Sequence, residues 1–114
     1  MKEIKAYVRS AMANHVVDAL ASEPGLHFSV LEVKGVSPGL PAGTYDYSVV
    51  LGEAFEPMLK FEVVCRDENT ARIAELIRRA ANSGRAGDGI VFIATVEEAI
   101  RISTGRRGDD ALPE

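Results

Sequence analysis

Tryptophan is absent from this 114-residue chain, and cysteine occurs once. The lone Cys65 excludes an internal disulfide and a cysteine-built zinc site, and it fits a reducing compartment. With no neighbouring pattern to activate the thiol, Cys65 reads as a small packing residue. Histidine is nearly as scarce: His15 falls in a helical stretch and His27 at the start of a strand, with no third ligand at metal spacing. A basic excess is also missing. Thirteen Lys and Arg against seventeen Asp and Glu leave a net charge of −4 and a pI near 5.2. Nucleic-acid binding, which needs a basic surface to displace counterions, is thereby excluded. No stretch approaches the roughly 20 apolar residues of a membrane span. Residues 1–10 carry Lys2, Glu3, Lys5 and Arg9 and no apolar run of the signal-peptide kind. A cytoplasmic protein without membrane insertion is expected.

What is present is ordinary globular material, 46% hydrophobic and 26% charged, sufficient for one domain over residues 1–114. A chain of this size buries roughly 65% of its unfolded surface, enough for a single core. A ligand cavity is therefore expected at an edge or between subunits.

Lys2 to Arg9 alternates, with Ile4, Ala6 and Val8 opposite Lys5, Tyr7 and Arg9, the period of a half-buried strand. Val16, Val17, Leu20 and Ala21 recur at helical spacing between Asn14 and Ser22, and Pro24-Gly25 stops the helix. Phe28 to Gly35 alternates again. Val36 to Pro57 holds three prolines, three glycines and no sustained period, and reads as a long loop. Met58 to Cys65 returns to strand chemistry and is expected to pair antiparallel with the second strand. Ile73, Leu76, Ile77, Ala80 and Ala81 form the apolar stripe of a second helix, with Asp67 as N-cap, Gly84 as stop and Glu75 to Arg79 as an i,i+4 ion pair. Ile90 to Ala94, fully apolar, reads as a central strand. A short helix is expected near Val96 to Arg101, and a mobile tail from Thr104 to Glu114. The order strand, helix, strand, strand, helix, strand is the α+β, ferredoxin-like βαββαβ arrangement, one antiparallel sheet with both helices on one face. Tyr7, Val8, Val30, Leu31, Phe61 and Val64 spread apolar weight over both faces, so the bare face is expected to be covered by homo-oligomerisation.

The sharpest local motif is Gly84-x-x-Gly87-Asp88-Gly89, between a helix end and a strand. Glycines admit positive φ and let successive backbone N–H groups face an anion. The segment is no Walker loop, because no Gly-Lys-Ser/Thr follows and helix precedes strand. As a bare motif it suits a tight turn better than a ligand site. Nearby Arg101, Arg106 and Arg107, with Lys34 and Lys60 on strands, favour phosphate binding.

Ser29, Glu32-Val33-Lys34-Gly35, Lys60-Phe61-Glu62-Val63-Val64, Ala81-x-Ser83-Gly84-x-x-Gly87-Asp88-Gly89 and Arg101-Ile102-Ser103-Thr104-Gly105 together resemble the PII nitrogen-regulatory signal-transduction family. The resemblance spans nearly the whole chain without gaps, and the stretch from Gly84 to Gly105 is specific to the family. It implies a homotrimer with an adenine nucleotide, ATP, ADP or AMP, in each cleft between subunits. It also implies a long T-loop, about residues 36–57, that touches a regulated protein such as a membrane transporter or a metabolic enzyme. Carried onto this chain, the phosphates lie against Gly87, Asp88 and Gly89 and against Arg101 of the next subunit, while Ser29, Glu62 and Val64 recognise adenine. Gly35 and the loop start complete the binding set.

The chain also departs from that pattern. Ile90 stands where the family has lysine, and Ser103 where it has a second arginine. Ser37, Pro38 and Gly39 replace a Gly-Arg-Gln start of the long loop, Met58 a lysine that captures 2-oxoglutarate, and Leu51 a modified tyrosine. Tyr45 and Tyr47 are out of register for that modification. A unit-charge pair at about 4 Å contributes a few kcal/mol at an effective dielectric of about 20, so the lost cations weaken triphosphate binding most. ADP and AMP are therefore favoured, with no cofactor required, and the chain reads as a divergent member outside ordinary nitrogen control. Two alternatives are a sensor of inorganic carbon binding nucleotide plus bicarbonate, and a non-sensing trimeric module associated with a transporter or metal tolerance. Asp109, Asp110 and Glu114 read as a solvated acidic tail. No general base or nucleophile can be assembled, so catalysis, such as weak ATP hydrolysis, is not expected.

Overall fold

The computed structural model describes residues 1–35 and 56–113. Strands β1 (Lys2–Arg9), β2 (Phe28–Gly35), β3 (Glu56–Cys65) and β4 (Gly89–Thr95) form one sheet in the order β2-β3-β1-β4, with every pair antiparallel. Helices α1 (Ala13–Ala21) and α2 (Asp67–Ala81) complete the βαββαβ order. The sequence period decides which face is buried. Ile4, Ala6 and Val8 of β1 and Phe61, Val63 and Cys65 of β3 point to one side, where they meet Ala13, Val16 and Leu20 of α1 and Ile73, Ile77 and Ala81 of α2. Phe61, Ile4, Leu20 and Ile77 are the largest fully buried side chains. Ala21, expected in the α1 stripe, is exposed.

The residues between them, Glu3, Lys5, Tyr7, Lys60, Glu62 and Val64, form the opposite face, which no helix covers. On it Tyr7 meets Phe92 edge-on with ring centroids 6.2 Å apart, and the Lys60 ammonium lies 5.9 Å from the centre of the Tyr7 ring.

Several expectations are corrected. β4 is an edge strand, not a central one: it pairs with β1 alone, and Ile90, Phe92 and Ile93 are each about half exposed. Its apolar run reflects a demand for burial that one copy of the chain does not meet. No helix forms over Val96 to Arg101. The backbone there is committed elsewhere, with the Val96 N–H donating to the Met1 carbonyl, the Arg101 N–H to the Arg106 carbonyl, and Ile100 bridging Arg107. That bridge also fixes the tail, because the Gly108 N–H donates to the Ala99 carbonyl, residues Gly108–Ala111 form a 3-10 turn, and Ala111 is buried. Arg66, not Asp67, is the N-cap of α2, and its side chain makes no capping bond. The Asp67 carboxylate, in the first turn, meets the Met1 amine at 2.9 Å. Glu56 and Pro57 belong to β3 rather than to the loop. Pro57 lies past the last β1 pairing, at Met58, so its missing N–H interrupts no β1 ladder bond. The rest of the expected loop, residues 36–55, with Ser37, Pro38, Gly39, Tyr45, Tyr47 and Leu51, lies outside the described residues, as does Glu114.

Candidate functional site

Helix α2 ends at Ala81, and the chain reaches β4 through seven residues that fold on their own side chains. The Asp88 carboxylate turns inward: it accepts the Ser83 N–H at 2.8 Å, the Ser83 hydroxyl, and the Arg9 Nε at 3.4 Å. These hydrogen bonds, those from Ser83 first, hold the Asp88 carboxyl below the ordinary carboxylate range. The Arg9 guanidinium also donates to the Ala86 carbonyl. Asn82 accepts the Gly84 N–H at 2.9 Å. Asp88 therefore shapes the turn.

Gly89 is required by the backbone packed against it, and Gly87 by its left-handed backbone, since the Arg9 guanidinium beside it ends a flexible side chain. A Cβ on Gly89, at φ +123°, would lie 1.8 Å from the Tyr7 carbonyl oxygen, and one on Gly87, at φ +84°, would lie 2.8 Å from the Arg9 guanidinium. Among the described residues, no hydrogen bond takes the backbone N–H of Ala86 or Gly87. Donors left without a partner around a positive-φ residue are suited to an anion. Beside the turn, between α2 and β4, a cavity of about 540 Å³ is lined by Ile77, Arg78, Ala81, Asp88, Gly89 and Ile93.

The remaining expected site residues lie elsewhere. Ser29 and Glu62 are cross-strand partners on the uncovered face, and Val64 follows on the same face of β3. The Glu62 carboxylate is held by Lys60 at 3.0 Å, and this hydrogen bond raises the Lys60 pKa. Arg101 stands beyond β4 at the base of a short hairpin whose tip exposes Ile102 fully and carries Ser103. It shares a cavity with His27, Arg66, Arg106 and Asp110. The strand register separates the two groups. Gly89 pairs with Val8 at one end of β1 and Thr95 with Lys2 at the other, six residues or about 20 Å away. The glycine turn, Ile90 and Gly35 occupy the first end, Ser29 and Glu62 lie midway, level with Lys5, and Val64 and Arg101 lie toward the second. Within one chain the glycine turn and Arg101 are therefore not joined.

Sequence comparison identifies the family. The family model of the nitrogen regulatory protein P-II matches residues 1–106. The chain belongs to the P-II family. Its relatives include the nitrogen regulatory protein P-II of Rhizobium meliloti (strain 1021), 40% identical over 98% of this chain and all of the relative. Those of Bradyrhizobium diazoefficiens and Rhodospirillum rubrum are each 38% identical over the same shares. P-II proteins are regulatory signal transducers, not enzymes. Full-length matches to proteins named for nitrogen regulation do not favour the inorganic-carbon or non-sensing readings, nor a place outside nitrogen control. Among the described residues of this P-II chain, no group of three or more His, Cys, Asp and Glu is placed to hold a metal, and no helix is long and apolar enough to cross a membrane. Sequence reading missed Arg9, whose partner is 79 residues away. The alternation of β1 placed it on a strand face, but nothing local paired it with Asp88.

Proposed function

We propose that this chain is a P-II signal transducer that binds an adenine nucleotide in clefts between three copies and controls a regulated protein through the loop at about residues 36–57. The observation that carries the reading is the separation of the glycine turn and Arg101 to opposite ends of one sheet. A ligand that needs both must draw them from two copies. A contact joining one end of a copy to the other end of the next is head-to-tail, and such contacts form a ring where the rotation between copies closes. On the uncovered sheet face the exposed Leu31, Ile90 and Phe92 supply apolar surface for that ring, beside the Lys5–Glu3 and Lys60–Glu62 ion pairs.

In this arrangement the N–H groups around Gly87 and the Arg101 guanidinium meet the phosphates, and Ser29, Glu62 and Val64 of the copy that supplies Arg101 meet the adenine. Ile90 and Ser103 supply no charge, so a third phosphate adds little. The working protein is cytoplasmic, and its regulated partner is a metabolic enzyme or a transporter. Calorimetric titration tests the ligand: ADP and AMP are expected to bind within about tenfold of ATP, a difference below about 1.4 kcal/mol. ATP binding at least about tenfold tighter than both overturns the selectivity, and no binding of any adenylate overturns the site. Proteolysis within residues 36–55 is expected to slow when the preferred nucleotide is present, and unchanged cleavage overturns the coupling of loop to ligand.

A further inference from the structure

We propose that His27, Arg66, Arg101 and Arg106 form an oxyanion site of the phosphate class, built within one chain at the end of the sheet opposite the glycine turn. Three separate elements bring the groups together. His27 precedes β2, Arg66 follows β3, and Arg101 and Arg106 face each other across the hairpin closed by the Ile100 to Arg107 bridge. They line a cavity of about 320 Å³ walled by Leu112 and Pro113. The packed tail fixes that wall, since Ala111 is buried and the Leu112 N–H donates to the Asp109 carbonyl at 3.1 Å.

Charge is the second observation. Arg9, Arg72, Arg78, Arg79 and Arg107 each face a carboxylate. Among the described residues, Arg66, Arg85, Arg101 and Arg106 have no ion pair, and all of these but Arg85, in the glycine turn, are in this one cavity. Asp110 is the one carboxylate among its lining residues, so an acidic chain concentrates a local excess of two positive charges there. Arg66 is anchored through a bond to the Asp109 carbonyl at 3.3 Å, which leaves its other donors available. Planar guanidinium forks match a tetrahedral oxyanion in geometry and charge, and they are weakly hydrated, so the match survives in a partly wet cavity. Guanidiniums gathered without matching carboxylates repel one another, and a bound anion relieves that repulsion. The site shares Arg101 with the proposed nucleotide cleft but does not rest on it, because every group named belongs to one chain and none to the glycine turn.

The probe is inorganic phosphate, titrated calorimetrically into the full chain at constant ionic strength set with chloride. Saturable binding is expected, weakened roughly tenfold or more in the Arg66→Gln, Arg106→Gln double variant. Arg106→Gln alone removes a side chain with no described hydrogen bond, and it carries the same expectation should the double variant unfold. Repeating the titration with ADP present separates two sources of the anion. Lost phosphate binding assigns the cavity to a phosphoryl group of the nucleotide, and retained binding assigns it to the free ion; both support an oxyanion site. Phosphate that fails to saturate the parent, or that binds parent and variants alike, overturns the proposal. Adenylate binding measured in Gly87→Ala reports on the glycine turn separately, so failure of one site is not read as failure of the other.

Discussion

Gly89 and Gly84 share a positive φ and differ in what surrounds them. At Gly89 an added methyl group meets the Tyr7 carbonyl at 1.8 Å, backbone against backbone, with no flexible atom to give way. Gly89→Ala is expected to cost more than about 3 kcal/mol and to loosen the β1 to β4 pairing. Nothing lies within 4 Å of a Cβ at Gly84, so Gly84→Ala is expected to cost only the left-handed strain, about 1–2 kcal/mol. Denaturant midpoints of the two variants check the order. A pH effect belongs to Glu75, whose carboxyl is drawn from 4.5 to about 2 by its hydrogen bond to Arg78 first and Arg79 next. A lowered folded-state pKa stabilises the fold above the unfolded value and is lost as pH falls through the folded one. The melting-temperature gap between the parent and Glu75→Gln is thus expected to be full at neutral pH and to close between pH 4.5 and 2. Salt is expected to narrow it, since both arginines are exposed. The Glu75 to Arg79 pair was legible from spacing alone, whereas the inward turn of Asp88 was not. In a string of residues Asp88 resembles a ligand group, and only the fold places Ser83 and Arg9 around it.

At the scale of elements, alternation in β1 and β3 and the stripe of α2 were legible because each is a local period with one buried face. Val96, Ala99 and Ile100 do fall at helical spacing, but the backbone there went to Met1 and to the bridge with Arg106 and Arg107 instead. β4 was legible as a strand but not in its place, because an apolar run states that both faces are buried without stating by what. That gap gives a test. Phe92 faces the uncovered side beside Tyr7, so Phe92→Glu is expected to leave the helical core and the far-ultraviolet spectrum intact while shifting the oligomer toward monomer in sedimentation. A variant that stays assembled removes β4 from the interface. Phe61→Ala is the contrasting case: Phe61 is fully buried under the helices, and its truncation is expected to cost about 3–5 kcal/mol.

For the whole molecule, the division of the site between two ends of the sheet makes complementation the decisive measurement. Gly89→Ala and Arg101→Ala are each expected to abolish adenylate binding in a uniform assembly, by damaging one half of every cleft. Unfolded together and refolded as a random mixture, they are expected to recover binding in about a quarter of the clefts, those that draw each half from an intact copy. A mixture that recovers nothing, with assembly intact, places the whole site within one copy. The fold class was legible from element order. The split of the proposed site between two copies came from the family resemblance, which assigned Arg101 to the next subunit; spacing and periodicity alone did not carry it, because it is a property of strand register.

A site divided in this way makes each ligand a rivet between neighbours. Whatever holds the copies together then sharpens affinity, and whatever pulls them apart releases the ligand, by equal free energies in the two directions. Diluting the protein is expected to weaken its hold on nucleotide, and saturating it to raise its melting temperature by protecting assembly as well as fold. The chain would then report how much nucleotide surrounds it and also whether its own copies are numerous enough to answer.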